Sequence, residues 1–98
     1  MIRVIIPYHL RSLAQHEGEL ELDLAAPETI GAIIDHLESK HPVLKGTIRD
    51  HTTGKRRPFV RFFACKEDLS DAPVETILPE AVRKGIEPFM IIGAMAGG

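Results

Sequence analysis

The sequence predicts an α+β fold: a mixed sheet of four or five strands, covered on one face by a single main helix and followed by a slim tail. Three observations predict it. Residues 19–24, "ELELDL", alternate without a fault, with Leu20, Leu22 and Leu24 on one face and Glu19, Glu21 and Asp23 on the other. A period of two marks a half-buried strand. Ile30, Ile33, Ile34 and Leu37 recur at i, i+3, i+4 and i+7, the single stripe of an amphipathic helix. Finally, "FMIIG", residues 89–93, is apolar on both sides. Such a strand belongs in the middle of a sheet, and the first strand is its expected neighbour.

The other elements follow in order. In "IRVII", residues 2–6, Ile2, Val4 and Ile6 share one face of a strand, which Pro7 ends. "YHLRSLAQHEG" carries polar residues and Gly18, and reads as a loop running into a turn. The strand at 19–24 is expected to form a hairpin with the first. Thr29 is placed to cap the helix, Glu28 sits at its positive end, and Lys40 with His41 sits at its negative end. Pro42 stops it, so the helix spans about 30–40. Val43, Leu44 and Ile48 suit a short helical turn, and "DHTTGKRRP" is a polar loop. "FVRFFAC", residues 59–65, is the third strand, with Val60, Phe62 and Ala64 on one face and Phe59, Arg61, Phe63 and Cys65 on the other. An irregular stretch follows, in which Pro79 starts one helical turn in "PEAVRK". One helix must cover one face of the sheet, because nothing else is available to bury the leucines. This is the β-grasp layout, with a folded body over 1–92 and a tail over 93–98.

Composition bounds the function. With 98 residues, 44% of them hydrophobic and 27% charged, the chain makes one domain with a single two-layer core. A formal net charge of -2 argues against nucleic acid as a partner. Lys55, Arg56 and Arg57 are the local exception, read as a solvated turn or, failing that, a docking patch. A lone cysteine, Cys65, excludes a disulfide framework and any four-cysteine metal site. The apolar start Ile2–Pro7 is too short for a signal-peptide core and contains Arg3. No segment approaches the roughly 20 apolar residues of a membrane helix. The expectation is a soluble, cytoplasmic protein with no membrane partner.

Few side chains invite a catalytic reading. Cys65 in a strand is expected to act as a small hydrophobe. His9, His16, His36, His41 and His51 show no metal-ligand spacing, and His36 and His41, five apart, point in different directions on a helix. Asp35, Glu38, Glu67 and Asp68 read as solvated faces. No metal and no bound cofactor are expected.

The last residues are unusual. "AMAGG" ends in Gly97-Gly98, a pair that background glycine usage of about 7% would place there in roughly one chain in two hundred. With the opening "IRVIIP" and "LRSLA", the helix "TIGAIIDHLESKHP", the third strand "FVRFFACKEDL" and the closing "FMIIGAMAGG", the whole chain resembles the ubiquitin-like sulfur carriers of the MoaD/ThiS type. Its length and the loop "RDHTTGKRRPFV" look most like the bacterial carriers that serve cysteine-type biosynthesis. Where that family commonly has a proline just before the tail, this chain has Gly93.

The resemblance implies a protein cosubstrate and not an enzyme. Its Gly98 carboxylate would be adenylated by an E1-like enzyme at the expense of ATP. A sulfurtransferase or other donor would then make it a thiocarboxylate, and a biosynthetic enzyme would accept the sulfur. The residues agree with that chemistry. A carboxylate is a poor electrophile until it gains a good leaving group, and the chain has no phosphate-cradling glycine loop with which to activate itself. The tail must therefore enter another protein's active site, which Gly93, Ala94, Met95, Ala96, Gly97 and Gly98 suit by slimness. With the helix over Val60, Phe62 and Ala64, the opposite side of the sheet presents Ile5, Phe59, Phe63, Met90 and Ile92, with Arg61 among them. A contiguous apolar patch there would be a docking face. The alternatives are a ubiquitin-like modifier joined to lysines, the small subunit of a molybdopterin-synthase-like complex, and a plain interaction domain.

Overall fold

Ile2, Val4 and Ile6 point the same way out of the first strand, and all three are sealed from solvent. In the computed structural model, which describes residues 1–93, they lie on and just after β1 (Ile2–Ile5). There follow α1 (Tyr8–Ala14), β2 (Leu20–Leu22), α2 (Ile30–Lys40), a 3₁₀ turn (Pro42–Leu44), β3 (Val60–Ala64), β4 (Glu67–Asp68), α3 (Glu80–Arg83) and β5 (Phe89–Gly93). The five strands form one sheet in the order β2-β1-β5-β3-β4. β5 is central, parallel to β1 and antiparallel to β3. β1 and β2 pair antiparallel, Ile2 facing Leu22 and Val4 facing Leu20. This is a mixed-sheet α+β architecture of the ubiquitin-like β-grasp kind.

The helix stripe does what its period requires. Ile30, Ile33, Ile34 and Leu37 are all buried, against Val4, Val60, Phe62, Phe89 and Ile91 of one core cluster. Burying each such side chain is worth about 1.5–3 kcal/mol. The Thr29 hydroxyl accepts from the Ala32 N–H at 3.0 Å, satisfying one donor left over at the helix start. At the other end the His41 N–H donates to the Leu37 carbonyl, and Pro42 opens the 3₁₀ turn that buries Leu44.

Four details differ from the sequence reading. The segment after Pro7 is a helix, α1, where a loop is expected. The Pro7 carbonyl accepts from both Leu10 and Arg11, so the residue that ends β1 also opens α1. The period is hard to see because only Leu10 is fully buried, while Leu13 is 48% exposed. Gln15 then ends α1 in a left-handed conformation (φ 54°) without glycine. The β1–β2 pair is thus joined through a helix and not by a tight turn. β3 is shorter than expected, covering 60–64: Phe59 precedes it, and Cys65 and Lys66, both at positive φ, make the turn into β4. β4 itself is two exposed residues with no period to detect. Finally, β2 covers only 20–22 of the expected 19–24, whereas β5 spans the expected 89–93, with Gly93 paired to Val60.

Removing core volume should cost accordingly. Leu37→Ala is expected to lower unfolding stability by about 2–5 kcal/mol, and Thr29→Ala by about 1 kcal/mol. Urea unfolding followed by circular dichroism measures both.

Candidate functional site

Strand alternation sends every second residue of the central strands away from α2. Register then decides which of them meet. Met90 lies opposite Ile5 of β1 on one side and Phe63 of β3 on the other, so the three form a row across the sheet. All three are half-buried. In the next register position Ile92 faces Arg61. Ile92 is 45% exposed, and Phe59, just before β3, is 51% exposed. The uncovered side of the sheet is therefore apolar through its centre.

Its charges are drawn to the edge. The Arg61 guanidinium donates to the carboxylate of Asp68, which lies opposite Phe63 on β4. Asp68 is held well below the usual carboxylate range by the Ser70 hydroxyl, then by Arg61, then by the Ser70 N–H, which donates at 2.9 Å. The same bond raises Arg61. Ser70 is itself buried and its hydroxyl oxygen accepts from the Phe62 N–H at 2.9 Å, which ties this corner to β3. Both ion-pair partners are substantially exposed, so the pair adds little stability. What it does is hold Arg61 towards β4.

The strand that carries Met90 and Ile92 ends at Gly93, at the border of the described residues. An ideal Cβ on Gly93 would lie 2.9 Å from Cε1 of His9 and 3.2 Å from Cγ of Pro7. The nearer atom is the far end of an exposed side chain, which can shift to admit a methyl group, while the Pro7 contact is tight. Ala94, Met95, Ala96, Gly97 and Gly98 lie outside the described residues.

No protein-family model and no curated protein matches the sequence. Solved structures do. A chain of the Amycolatopsis orientalis BexX/CysO complex is 26% identical, with a TM-score of 0.75 and 100% of each chain covered. The Mycobacterium tuberculosis CysO, an antigen, is 24% identical at a TM-score of 0.73, over 97% of this chain and 100% of that one. SAMP1 from Haloferax volcanii, a small archaeal modifier protein, is 17% identical at 0.74, over 98% and 97%. The fold is that of the MoaD/ThiS-type carriers.

Within this ubiquitin-like fold, several residues acquire structural duties that sequence spacing does not reveal. Arg56 donates to the carbonyls of Ser70, Arg57 and Val60 and pairs with Asp71; Arg57 donates to the Gly46 carbonyl. The basic run is thus neither a solvated turn nor a docking patch in those two residues. They fasten the 49–58 loop, and of the three basic residues Lys55 alone is exposed. Likewise Asp35 and Glu38 both accept from Arg49, which raises that guanidinium. Cys65 sits half-buried in the β3–β4 turn. Among the described residues no group of three or more His, Cys, Asp or Glu is arranged to hold a metal ion. His16 and His41 approach edge-to-face at 6.2 Å, a pairing of distant segments. No helix of the described residues is long and apolar enough to cross a membrane. Asp68, Ser70, Pro7 and His9 are residues that spacing misses: Asp68 belongs to a two-residue exposed strand with no pattern, Ser70 lies just beyond it, and the contacts of Pro7 and His9 with Gly93 join opposite ends of the chain.

The Asp68 site has a pH signature. Above about pH 4, the ordinary aspartate range, Asp68 is ionised whether the chain is folded or not, and its stabilisation is fully present. As pH falls below that range the unfolded chain takes up a proton that the folded chain resists, so stability drops. Asp68→Asn should flatten the decline between about pH 5 and pH 2, compared with wild type by denaturation at a series of pH values.

Proposed function

We propose that this chain is a sulfur carrier protein whose functional group is the carboxylate of Gly98. One observation carries the reading: the central strand of a MoaD/ThiS-type fold continues directly into "AMAGG". In the reaction the carboxylate oxygen attacks the α-phosphorus of ATP, giving an acyl-adenylate and pyrophosphate. A sulfur nucleophile then adds to the carbonyl carbon and expels AMP, which leaves with one of the original carboxylate oxygens. With sulfide as the nucleophile the thiocarboxylate at Gly98 forms directly; with a persulfide donor the product is an acyl disulfide, whose S–S bond a thiol then cleaves, leaving the thiocarboxylate at Gly98 and a disulfide on the donor side. Adenylation belongs to an E1-like partner, the sulfur comes from a sulfurtransferase or comparable donor, and a biosynthetic enzyme consumes it. The carrier is a cosubstrate throughout, and ATP is spent by the partner.

The apolar row Ile5–Met90–Phe63, with Ile92 and Phe59 beside it, is the surface for those partners. Its support is contiguity: large exposed apolar areas on small domains mark interaction sites. The BexX/CysO chain, similar along its full length, comes from a complex, which agrees with a partner-binding role here. A second reading has a specific observation in its favour. The likeness to the Haloferax modifier protein supports joining Gly98 to lysines of other proteins, starting from the same activated terminus.

Three measurements test these statements. Incubation with the activating enzyme, ATP and a sulfur source should raise the intact mass by one oxygen-to-sulfur exchange, and deleting Gly97 and Gly98 should abolish it. An unchanged mass, with the enzyme competent on its own substrate, sinks the carrier reading. Peptides whose lysines carry residues 85–98 of this chain in isopeptide linkage, the remnant left by tryptic cleavage after Lys84, would favour the modifier. Ile92→Glu should weaken binding to the activating enzyme by about 1–2 kcal/mol while leaving the melting temperature near that of wild type.

A further inference from the structure

Among the described strand residues two carry basic side chains, Arg3 of β1 and Arg61 of β3. Both face the uncovered side of the sheet, and both are drawn off its apolar row. Arg3, two residues before Ile5, donates to the carbonyls of Gly85 and Ile86 and to Glu19. Arg61 stands between Phe59 and Phe63 on one face of β3 and opposite Ile92 of β5. The stem of an exposed arginine packs on whatever apolar surface is near, and its guanidinium is attracted to aromatic faces. Yet neither guanidinium lies over a ring; among the described residues that contact is made by Arg11 on Tyr8. Arg61 turns the other way, to Asp68 on β4.

Asp68 can hold it there because Asp68 is itself fixed from inside. The Ser70 N–H donates to Oδ1 at 2.9 Å, the Ser70 hydroxyl adds a second bond to the carboxylate, and Arg61 takes Oδ2. Ser70 is 7% exposed, and its hydroxyl oxygen accepts from the Phe62 N–H at 2.9 Å. A line of contacts thus runs from the backbone of β3, through a buried hydroxyl, to the carboxylate that ends in Arg61. We infer that Asp68 is a positioning residue of the docking face: backed by Ser70, it holds Arg61 over β4 and keeps the row Ile5–Met90–Phe63 clear for a partner. This deepens the carrier reading and rests on it for its functional consequence. Little energy is needed, because every resting place open to Arg61 is on the surface, and an exposed ion pair biases such a choice by about fivefold at most. Without the carboxylate, Arg61 folds back over Met90 and Ile92, and a partner has to displace it before apolar surfaces meet.

The test uses the full chain, with and without the activating enzyme. Asp68→Ala should raise KM for the carrier in ATP–pyrophosphate exchange about threefold, with kcat within about twofold. Removing the arginine as well should reverse the loss, so that Asp68→Ala/Arg61→Ala has a lower KM than Asp68→Ala alone. The sign of that second change is decisive. Had Asp68 or Arg61 touched the partner directly, the double variant would be no better than the single one. That result, or a wild-type KM in Asp68→Ala, overturns the inference. A second measurement needs no partner: nuclear Overhauser contacts between the Arg61 δ-methylene and the Met90 methyl should be absent in wild type and present in Asp68→Ala. If wild type is not activated at all, the carrier reading fails by itself, and the absence of those contacts in Asp68→Ala is then what refutes the positioning role.

Discussion

Everything in this molecule leans on the contact between one helix and one strand. β5 brings Phe89 and Ile91 under the α2 stripe, with the Phe89 ring 5.6 Å from that of Phe62 on the neighbouring strand. Because β5 lies between β1 and β3, the same contact aligns the start of the chain with its end and sets the register of the central sheet. A single helix covers a single face. Among the described residues no layer covers the opposite face, and its central row is apolar. The apolar outer row and the core are two sides of one constraint.

The connections are held differently, by guanidinium groups on backbone oxygens. Arg3 donates to the carbonyls of Gly85 and Ile86 and pairs with Glu19. Arg11 donates to Ile6, Arg57 to Gly46, and Arg83 to Leu78. A planar fork with five donors serves this purpose well, because it satisfies carbonyls that irregular segments leave without ladder partners. Among the described residues no buried side-chain nitrogen or oxygen lacks a hydrogen-bond partner. A consequence for function follows. Much of the positive charge is spent internally, so the surface offers apolar contact more than a basic footprint.

Legibility in the sequence tracked how local each signal was. α2 was readable to its ends because its stripe, its Thr29 cap and its Pro42 stop all lie within one short segment. β2 was readable because leucine and acid alternate. α1 was not, since its only deeply buried side chain is Leu10 and its closing residue, Gln15, gives no turn signal. β4 was hidden for a related reason: it has two exposed residues, and its turn uses Cys65 and Lys66 at positive φ where glycine or asparagine would have announced it. Arg56 and Arg57 looked like solvent charges because the carbonyls they bind are brought near only by folding.

From sequence alone came the α+β class, the helix, the central greasy strand, the residues of the outer face, and the Gly-Gly ending. All of these are encoded in periods and end signals that act within a few residues. Only the tertiary structure decided that Ile5, Met90 and Phe63 form one row, that the basic run is a fastening, and that Gly93 ends a strand beneath His9. Those facts depend on strand register and on where a helix comes to rest. Both are settled by contacts between opposite ends of the chain, which no local pattern records.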